Sequence, residues 1–263
     1  MELKGARIRQ QQEKKSPAKR SRKPKAYHHG DLRQTLIDAA IKMLTKSSPD
    51  SLSLRDLARQ AGVSIAAPYR HFKDKRELLA AISAQGFELK HKYMCEEIKK
   101  SKNKPLDMYY ACAISYFRMG LKHPQHFKLM FASEVMPSEE FPELLKSACK
   151  TFQLLRRMIE YCQNKGLIGS GNSVHKALNC WCVVNGFTSL YAEGRLAWLG
   201  VDDKNAESAL KTLLSQYLVG NREPLSKSDF GFIPLESSIT DPMIRVLLDT
   251  PDPEAEALFA NKD

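Results

Sequence analysis

Apolar residues recur every three or four positions along most of this 263-residue chain, which is the spacing of one face of an α-helix. The periodic segments predict helices at about residues 31–48, 54–61, 65–72, 75–100, 105–122, 126–133, 138–165, 174–199 and 202–219. The segment 177–191 is apolar almost all round, which predicts a helix that is buried on several sides. We therefore expect an all-α fold.

The segment from Ser53 to Phe72 predicts two short helices joined by a tight turn. Ser53 is a favourable N-cap, and Asp56 three residues later can complete a capping box. Gly62 can adopt the left-handed backbone of a sharp turn, and Ser64 is suited to cap the second helix. A shared apolar face would hold the two helices together, formed by Leu54, Leu57, Ala58, Ala61 and Val63. The pattern is that of a helix-turn-helix that enters the DNA major groove, and the alternative is an ordinary helical hairpin within a core.

The second of these helices presents small apolar groups where base edges would be met. Ile65, Ala66 and Ala67 can contact a thymine methyl group, while Arg70 can read guanine or bind a phosphate. Pro68 is tolerated because it lies in the first turn, where its missing N–H costs nothing. With few polar side chains to read bases, we expect part of the specificity to come from the shape of the DNA.

Positive charge is concentrated towards the N-terminal end of the chain. The chain as a whole carries +11, residues 1–26 carry +8 and residues 220–263 carry −5. Residues 1–26 fit either a solubilising tail or, as we favour, a disordered basic arm that follows the phosphate backbone. Lys75 and Arg76 lie in the first turn of a predicted helix, where cations are disfavoured, and this indicates an anionic partner there. The arm residues expected to contact the DNA backbone are Arg20, Arg22, Lys23, Lys25, His28 and His29.

The window from Tyr27 to about Tyr93 resembles the DNA-binding domain of the TetR family of bacterial regulators. The matching features are a helix with two central alanines, the runs SLRDLARQAGVS and PYRHFKDKRELL, and the distances between them. The segments YHHGDLR and FKLMF further resemble one subgroup of that family, whose C-terminal domain carries a Trp-His-Gly signature. Here the signature reads Trp181, Asn185 and Gly186, with asparagine in place of the histidine.

The resemblance implies an N-terminal three-helix helix-turn-helix DNA-binding domain at residues 27–93 and a helical sensor and dimerisation domain at residues 101–219. It implies a homodimer that represses transcription from a palindromic operator and responds to a small-molecule ligand. The helix at 75–100 would link the two domains, and the helices at 174–199 and 202–219 would form the dimer interface. Periodicity alone gives the helix at 202–219 an apolar packing seam of Ala206, Leu210, Leu213 and Tyr217. The residues expected to contact DNA are Ser53, Arg55, Ser64, Ile65, Ala66, Ala67, Tyr69, Arg70, His71 and Lys75.

The same resemblance places a ligand pocket in the C-terminal domain. Its expected lining is Trp181, Asn185, Tyr116 and Phe131, although a buried tryptophan also fits an ordinary core.

The last 44 residues lie outside the family pattern. They form an acidic, proline-rich extension at residues 220–263, and the pairs Asp241–Pro242 and Asp252–Pro253 predict short helices near 242–249 and 253–260. We expect the extension to pack on the sensor domain. Two uses stay open: it could cover a pocket, or it could rest against the basic arm in the absence of DNA.

Other classes of protein find little support in the sequence. The six cysteines lie within helical patterns, as expected for buried reduced thiols. The sequence shows neither the apolar core of a secretion signal nor an apolar run of about 20 residues that could span a membrane. We therefore expect a cytoplasmic protein. The sequence also lacks the usual motifs of catalysis and metal binding, namely paired catalytic carboxylates, a glycine-rich phosphate loop, a GxSxG motif and a metal-ligand cluster. We therefore expect that the protein is not an enzyme, that it has no metal site, and that it binds no cofactor other than a possible small-molecule effector. The remaining alternative is a protein that binds DNA non-specifically, or binds a partner, without an effector.

Overall fold

The computed structural model describes residues 32–101, 103–132, 134–220 and 249–260. The basic arm at residues 1–26 and all six residues predicted to contact the DNA backbone lie outside the described residues. So do Gly30 and Asp31, either of which is suited to cap the first predicted helix, and most of the helix expected near 242–249. The same holds for the side chain of Tyr217.

The described residues form α-helices and short 3₁₀ turns and contain no β-strand, which confirms the all-α prediction. The α-helices are α1 (Leu32–Leu44), α2 (Leu54–Ala61), α3 (Lys75–Lys100), α4 (Pro105–Lys122), α5 (Pro124–Leu129), α6 (Pro142–Asn164), α7 (Ser173–Ala192), α8 (Ala206–Gly220) and α9 (Pro253–Phe259). The 3₁₀ turns are Pro49–Ser51, Pro68–Arg70 and Ala197–Leu199.

Helix α2 begins and ends at the residues that the sequence predicts. The hydroxyl of Ser53 accepts a hydrogen bond from the Asp56 N–H at 3.1 Å and donates to the Asp56 carboxylate at 2.6 Å. At the other end Gly62 has φ of 69° in the left-handed region, and the N–H of Val63 donates to the carbonyl of Ala58 at 3.0 Å. The cap and the glycine together fix where α2 stops and in which direction the chain continues.

The second helix of the motif is much shorter than the sequence predicts. Residues 65–67 form a turn, and only Pro68–Arg70 is a 3₁₀ helix. Pro68 cannot donate to the carbonyl of Ser64, so that carbonyl accepts the Ala67 N–H at 3.0 Å in a tighter turn. The expectation that Ser64 caps a regular helix is therefore wrong, and residues 65–70 form a compact double turn.

Helix α3 is the central helix of the described structure. Asp74 lies just before the first turn, at the position where the sequence favours an N-cap, and its carboxylate accepts the Glu77 N–H at 2.9 Å. The apolar spacing along this segment predicts a single seam that includes Leu78 and Ile82. Both are fully buried, but so are side chains on the other faces, including Leu79 and Met94. The prediction of a single apolar seam is wrong because α4, α5, α6 and α9 all pack around this helix.

Helices α4 and α7 approach each other closely at a glycine. A Cβ atom added to Gly120 would lie 2.7 Å from Cγ2 of Thr188 and 3.1 Å from Cδ2 of Phe127. Carbon atoms do not approach this closely without a shift of the backbone or the rotamer, so glycine sets the distance between the two helices.

Helix α8 packs with a face that differs from the predicted one by one position. Ala206 and Leu210 are buried as expected, and Leu214 is fully buried, whereas Leu213 is 43% exposed. The seam therefore follows Ala206, Leu210, Leu214 and Leu218 at a spacing of four residues, and the prediction for Leu213 is wrong. A neighbouring helix decided the choice between two adjacent leucines.

The described part of the C-terminal extension packs on the helical body, as predicted for it. The Asp252 carboxylate caps α9 through the Glu254 N–H at 3.1 Å and also contacts Nε2 of the buried His91 at 2.9 Å. Ala255 and Leu258 are buried against α3 and α6. The segment is thus held by an apolar face together with one buried polar contact.

No helix among the described residues is both long and apolar enough to cross a lipid bilayer. All six cysteines lie in the described ranges, where they form no disulfide bond, and five of them are buried while Cys182 is exposed. Burial raises the pKa of the Cys95 and Cys162 thiols to about 12, so these thiols are protonated at neutral pH.

Candidate nucleic-acid interface and effector site

The compact double turn after α2 lies at the protein surface. Ile65 is 49% exposed and Tyr69 is 54% exposed, and Ser64, Ala66 and Arg70 are exposed as well. Phe72 at the end of the segment is buried and Pro68 is buried beneath it, so these two side chains anchor the exposed residues to the core. The exposed residues combine apolar side chains, which can contact a thymine methyl group, with one arginine, which can bind guanine or a phosphate.

Three other predicted DNA-contact residues are less accessible or already have partners. The Ser53 hydroxyl is used in the α2 cap, and the ammonium group of Lys75 donates to the carbonyls of Pro49 and Asp50, both at 3.3 Å. His71 is half-buried and Arg55 is exposed. Contact with DNA stays a prediction for all ten residues, and the geometry favours those of the double turn.

The anionic partner predicted for the first turn of α3 is found within the protein. The guanidinium of Arg76 binds both carboxylate oxygens of Glu140, at 2.6 and 2.9 Å, and lies 5.2 Å from the centre of the Phe141 ring. A second ion pair joins Arg33 of α1 to Glu143 of α6 at 2.8 Å. Sequence reasoning missed both contacts because the partners are more than 60 residues apart along the chain.

A chain of polar side chains also connects the first helix with the C-terminal helices. Gln85 of α3 donates to Gln34 of α1 at 3.3 Å, and its amide oxygen lies 3.1 Å from Nε2 of His126 in α5. Burial lowers the pKa of His126 to about 4, so its imidazole is neutral at pH 7. A neutral His126 can donate from Nε2 to the Gln85 oxygen, and this fixes the orientation of the amide between the two helices.

The four residues expected to line a ligand pocket come together in one aromatic cluster. The Tyr116 hydroxyl donates to the Asn185 side chain at 2.7 Å, and the Phe131 and Trp181 rings are 5.9 Å apart. Phe152 extends the cluster on the far side of Trp181 at 6.3 Å. The prediction that these residues are neighbours agrees with the geometry, while ligand binding itself stays a prediction.

A lysine that sequence reasoning missed lies at the centre of this cluster. Lys90 of α3 is only 5% exposed, and its ammonium nitrogen is 3.8 Å from the centre of the Tyr116 ring and 5.6 Å from that of Trp181. Among the described residues it forms no ion pair with a carboxylate. Desolvation lowers the pKa of Lys90 to about 8, and the thiols of Cys112 and Cys180 lie nearby.

Another group of polar side chains was not foreseen because it depends on the position of the extension. His91, Cys95 and Glu254 bring potential metal-ligand atoms within 4.8 Å of one another. The Cys95 sulfur is nearly equidistant from the two imidazole nitrogens, at 3.7 and 3.9 Å, so it lies beside the ring rather than along a nitrogen lone pair. Lys99 and Lys150 already approach the Glu254 carboxylate, at 3.4 and 3.9 Å. This arrangement is better described as a neutralised polar cluster than as a metal centre.

The surface formed by the end of α7, the following 3₁₀ turn and α8 exposes large apolar side chains. Trp198 is 82% exposed, and Leu190, Leu199 and Leu213 are between 43% and 58% exposed. Large apolar residues that cluster on a surface are typical of contacts with another protein. The resemblance to the TetR family, rather than periodicity, implied an interface in this part of the chain, and it did not identify Trp198.

Comparison with known proteins agrees with the fold and with the helix-turn-helix. Residues 36–82 match the family model of bacterial regulatory proteins of the tetR family, and residues 109–215 match a tetracyclin repressor-like C-terminal domain. Together the two matches include the double turn, the beginning of α3 and most of α4 to α8. They define a DNA-binding transcriptional regulator with an N-terminal helix-turn-helix domain and a C-terminal helical domain.

Individual relatives support the same assignment. A nicotine-responsive transcriptional repressor of Paenarthrobacter nicotinovorans is 28% identical, over 46% of this chain and 70% of its own length. A solved structure of a Rhodococcus protein of unknown function is 30% identical, with a TM-score of 0.65 over 75% of this chain and 99% of its own. The regulator PfmR of Thermus thermophilus has the same fold at 17% identity, with a TM-score of 0.53 over 72% of this chain and 99% of its own. The chain belongs to the TetR family of bacterial transcriptional regulators.

Proposed function

We propose that this regulator is a repressor that binds a palindromic operator as a homodimer and releases it when a small molecule binds the C-terminal domain. The observation that carries the proposal is the exposed double turn with Ala66, Tyr69 and Arg70, supported on a buried Phe72. A basic arm at residues 1–26 would add contacts to the phosphate backbone. We also propose that the protein acts in the cytoplasm and is not an enzyme.

The DNA-binding step is tested by gel shift and footprinting on the region upstream of the gene itself. Arg70→Ala should weaken binding by about 1–3 kcal/mol if Arg70 reads a base, with reduced preference for the operator over bulk DNA. A phosphate contact would instead weaken binding to all sequences and lower the salt dependence. Lys42→Ala, at an exposed position of α1, is the matched control. A missing two-fold footprint would contradict the repressor proposal and favour non-specific binding.

The dimer is proposed from the exposed apolar surface of α7, the 3₁₀ turn and α8. Two copies that bury this surface would place two double turns on successive major grooves, which are roughly 34–36 Å apart. The double variant Leu190→Glu, Trp198→Glu should be monomeric in sedimentation analysis and should lose operator binding. Met136→Glu changes a 68% exposed apolar residue between α5 and α6 and is expected to stay dimeric. A wild type that sediments as a monomer at all concentrations would contradict the proposal.

The effector site is proposed at the aromatic cluster around Lys90, which α3, α4 and α7 share. Because α3 runs without interruption from this cluster to the helix-turn-helix, a small rotation of α3 changes the position of the double turn. The ion pairs Arg76–Glu140 and Arg33–Glu143 would carry movements of α6 to the same domain. A ligand shifts the equilibrium only by its difference in affinity for the two positions.

The buried lysine argues that the effector differs from that of the nicotine-responsive relative. Nicotine is a basic amine, and a cationic ligand placed beside the Lys90 ammonium would be repelled. We propose that the two proteins share a mechanism but recognise ligands of different charge. Titration of the purified protein with nicotine tests this, and binding that releases DNA would contradict it.

A further inference from the structure

We propose that the effector is an organic monocarboxylate with an apolar body, and that Lys90 binds its carboxylate group. This inference rests on the effector site proposed above and adds the chemical class of the ligand. It starts from a single observation, a lysine side chain at the centre of the protein without an anionic partner among the described residues.

A buried ammonium group without a carboxylate partner is rare, because its hydration is lost without compensation. Cation–π contacts with the rings of Tyr116 and Trp181 offset part of the lost hydration free energy. The ammonium nitrogen of Lys90 lies 3.8 Å from the centre of the Tyr116 ring and 5.6 Å from that of Trp181. The thiols nearest to the lysine, Cys112 and Cys180, stay protonated because burial raises their pKa. A negative ligand group is what the site lacks.

A second hydrogen-bond donor lies in the same cluster. The indole Nε1–H of Trp181 lies near the Tyr116 hydroxyl but makes no hydrogen bond of good geometry with any described residue. The Tyr116 hydroxyl is already used in its bond to Asn185. Two donors without acceptors, one of them charged, match the two oxygens of one carboxylate.

The surroundings favour a carboxylate over a phosphate and an apolar body over a polar one. A phosphate dianion would bring two negative charges to one cation and would need more donors than the cluster offers. Further aromatic rings lie in the cluster, with Phe127, Phe131 and Phe152 arranged around Tyr116 and Trp181 at centre distances of 5.7–6.3 Å. Such rings stabilise an aliphatic or aromatic hydrocarbon through burial.

The proposal is tested with matched pairs of probes that differ only in charge. Octanoate and benzoate are compared with octanol and benzyl alcohol by calorimetric titration of the full chain and by the change in its melting temperature. We expect at least one carboxylate to bind once per chain, at least about tenfold more tightly than its alcohol, because a charge-assisted hydrogen bond is lost in the alcohol.

Two lysine variants on the same helix separate recognition from non-specific attraction. Lys90→Met should weaken carboxylate binding at least about tenfold and leave binding of the alcohols unchanged or tighter. Lys92→Met removes an exposed lysine two residues away and should behave like the wild type. The Lys90 variant is expected to fold, because it replaces a buried charge by an apolar chain of similar length.

The outcomes are distinct from those of the DNA experiments. Equal carboxylate binding by the wild type and Lys90→Met would overturn the proposal, and so would alcohols that bind as tightly as their carboxylates. The absence of binding for both carboxylates would overturn it as well. Operator binding without ligand, measured in parallel, reports on the proposed repressor function alone.

Discussion

Replacing Lys90 by methionine should make the folded protein more stable at neutral pH, even though it removes a residue proposed to bind the effector. Methionine is an unbranched chain of similar length and fills the same space without a charge. The lysine lies among aromatic rings and thiols, and desolvation lowers its pKa from 10.5 to about 8. The stability of the protein is therefore lower than an apolar side chain would allow.

The magnitude follows from that pKa. At about 1.4 kcal/mol for each pKa unit, the difference corresponds to a cost of about 3 kcal/mol for carrying the charge into the folded state. Cation–π contacts with Tyr116 and Trp181 return about 1–2 kcal/mol of it. We expect Lys90→Met to raise the free energy of unfolding by about 1–2 kcal/mol near pH 7, measured by urea denaturation.

The pH dependence provides a second, independent signature. Between pH 8 and 10.5 the unfolded chain binds a proton at this lysine that the folded chain does not, so stability rises with pH across that window. From pH 7 to pH 9 the wild type should gain about 1.3 kcal/mol relative to Lys90→Met, because the folded chain releases most of one proton at this lysine over that range while the unfolded chain keeps it. Ionisation of Cys112 and Cys180 in the unfolded chain affects both proteins equally and cancels in the difference.

The control is Lys92→Met, which changes an exposed lysine of the same helix and should leave the free energy of unfolding within about 0.5 kcal/mol of the wild type. A Lys90→Met variant that is less stable than the wild type near pH 7 would refute the reasoning. It would mean that the ammonium has a favourable anionic partner in the folded protein, and the site would then not need one from a ligand.

Two further predictions concern the fold. Gly120→Ala should lower the free energy of unfolding by about 1–3 kcal/mol, because the new Cβ would lie 2.7 Å from Cγ2 of Thr188. Thr188→Ser removes that methyl group, so the double variant should recover part of the lost stability. A Cβ atom at Gly186 would meet nothing within 4 Å, so Gly186→Ala should instead stabilise α7 by about 0.5–1 kcal/mol. If Gly120→Ala and Gly186→Ala changed the melting temperature equally, the close approach of α4 and α7 would be contradicted. Ser53→Ala should lower the free energy of unfolding by about 1 kcal/mol because it removes the cap of α2. Ser53→Asn should lower it less, because asparagine can also cap a helix, and an equal loss of stability in the two variants would argue against the cap.

Residues that act through local backbone chemistry were predictable from the sequence. Ser53, Gly62 and Asp74 mark helix ends because a short polar side chain or a left-handed backbone is needed at that one position. The helix-turn-helix could be recognised because its elements lie within about 20 residues of one another. The prediction of a full second helix in the same segment was wrong. Pro68 has no N–H to donate to the carbonyl of Ser64, and a double turn forms in place of the helix.

Burial patterns were predictable only where a helix packs on one side. For α3 the periodicity indicated one seam, whereas four other helices surround it. For α8 the choice between Leu213 and Leu214 depended on the position of its neighbours. A seam read from periodicity alone cannot distinguish these cases, since adjacent leucines satisfy the same spacing nearly equally.

The sequence by itself determined the helical class, the helix-turn-helix with the Ser53 cap and the Gly62 turn, and the neighbourhood of Trp181, Asn185, Tyr116 and Phe131 as a region of interest. Only the tertiary structure decided that Lys90 lies inside that aromatic cluster, that Arg76 and Arg33 join the two domains through Glu140 and Glu143, and that Asp252 meets His91. The physical reason is distance along the chain. Caps and turns are set by interactions between residues a few positions apart, whereas the environment of a charge depends on which distant helices surround it.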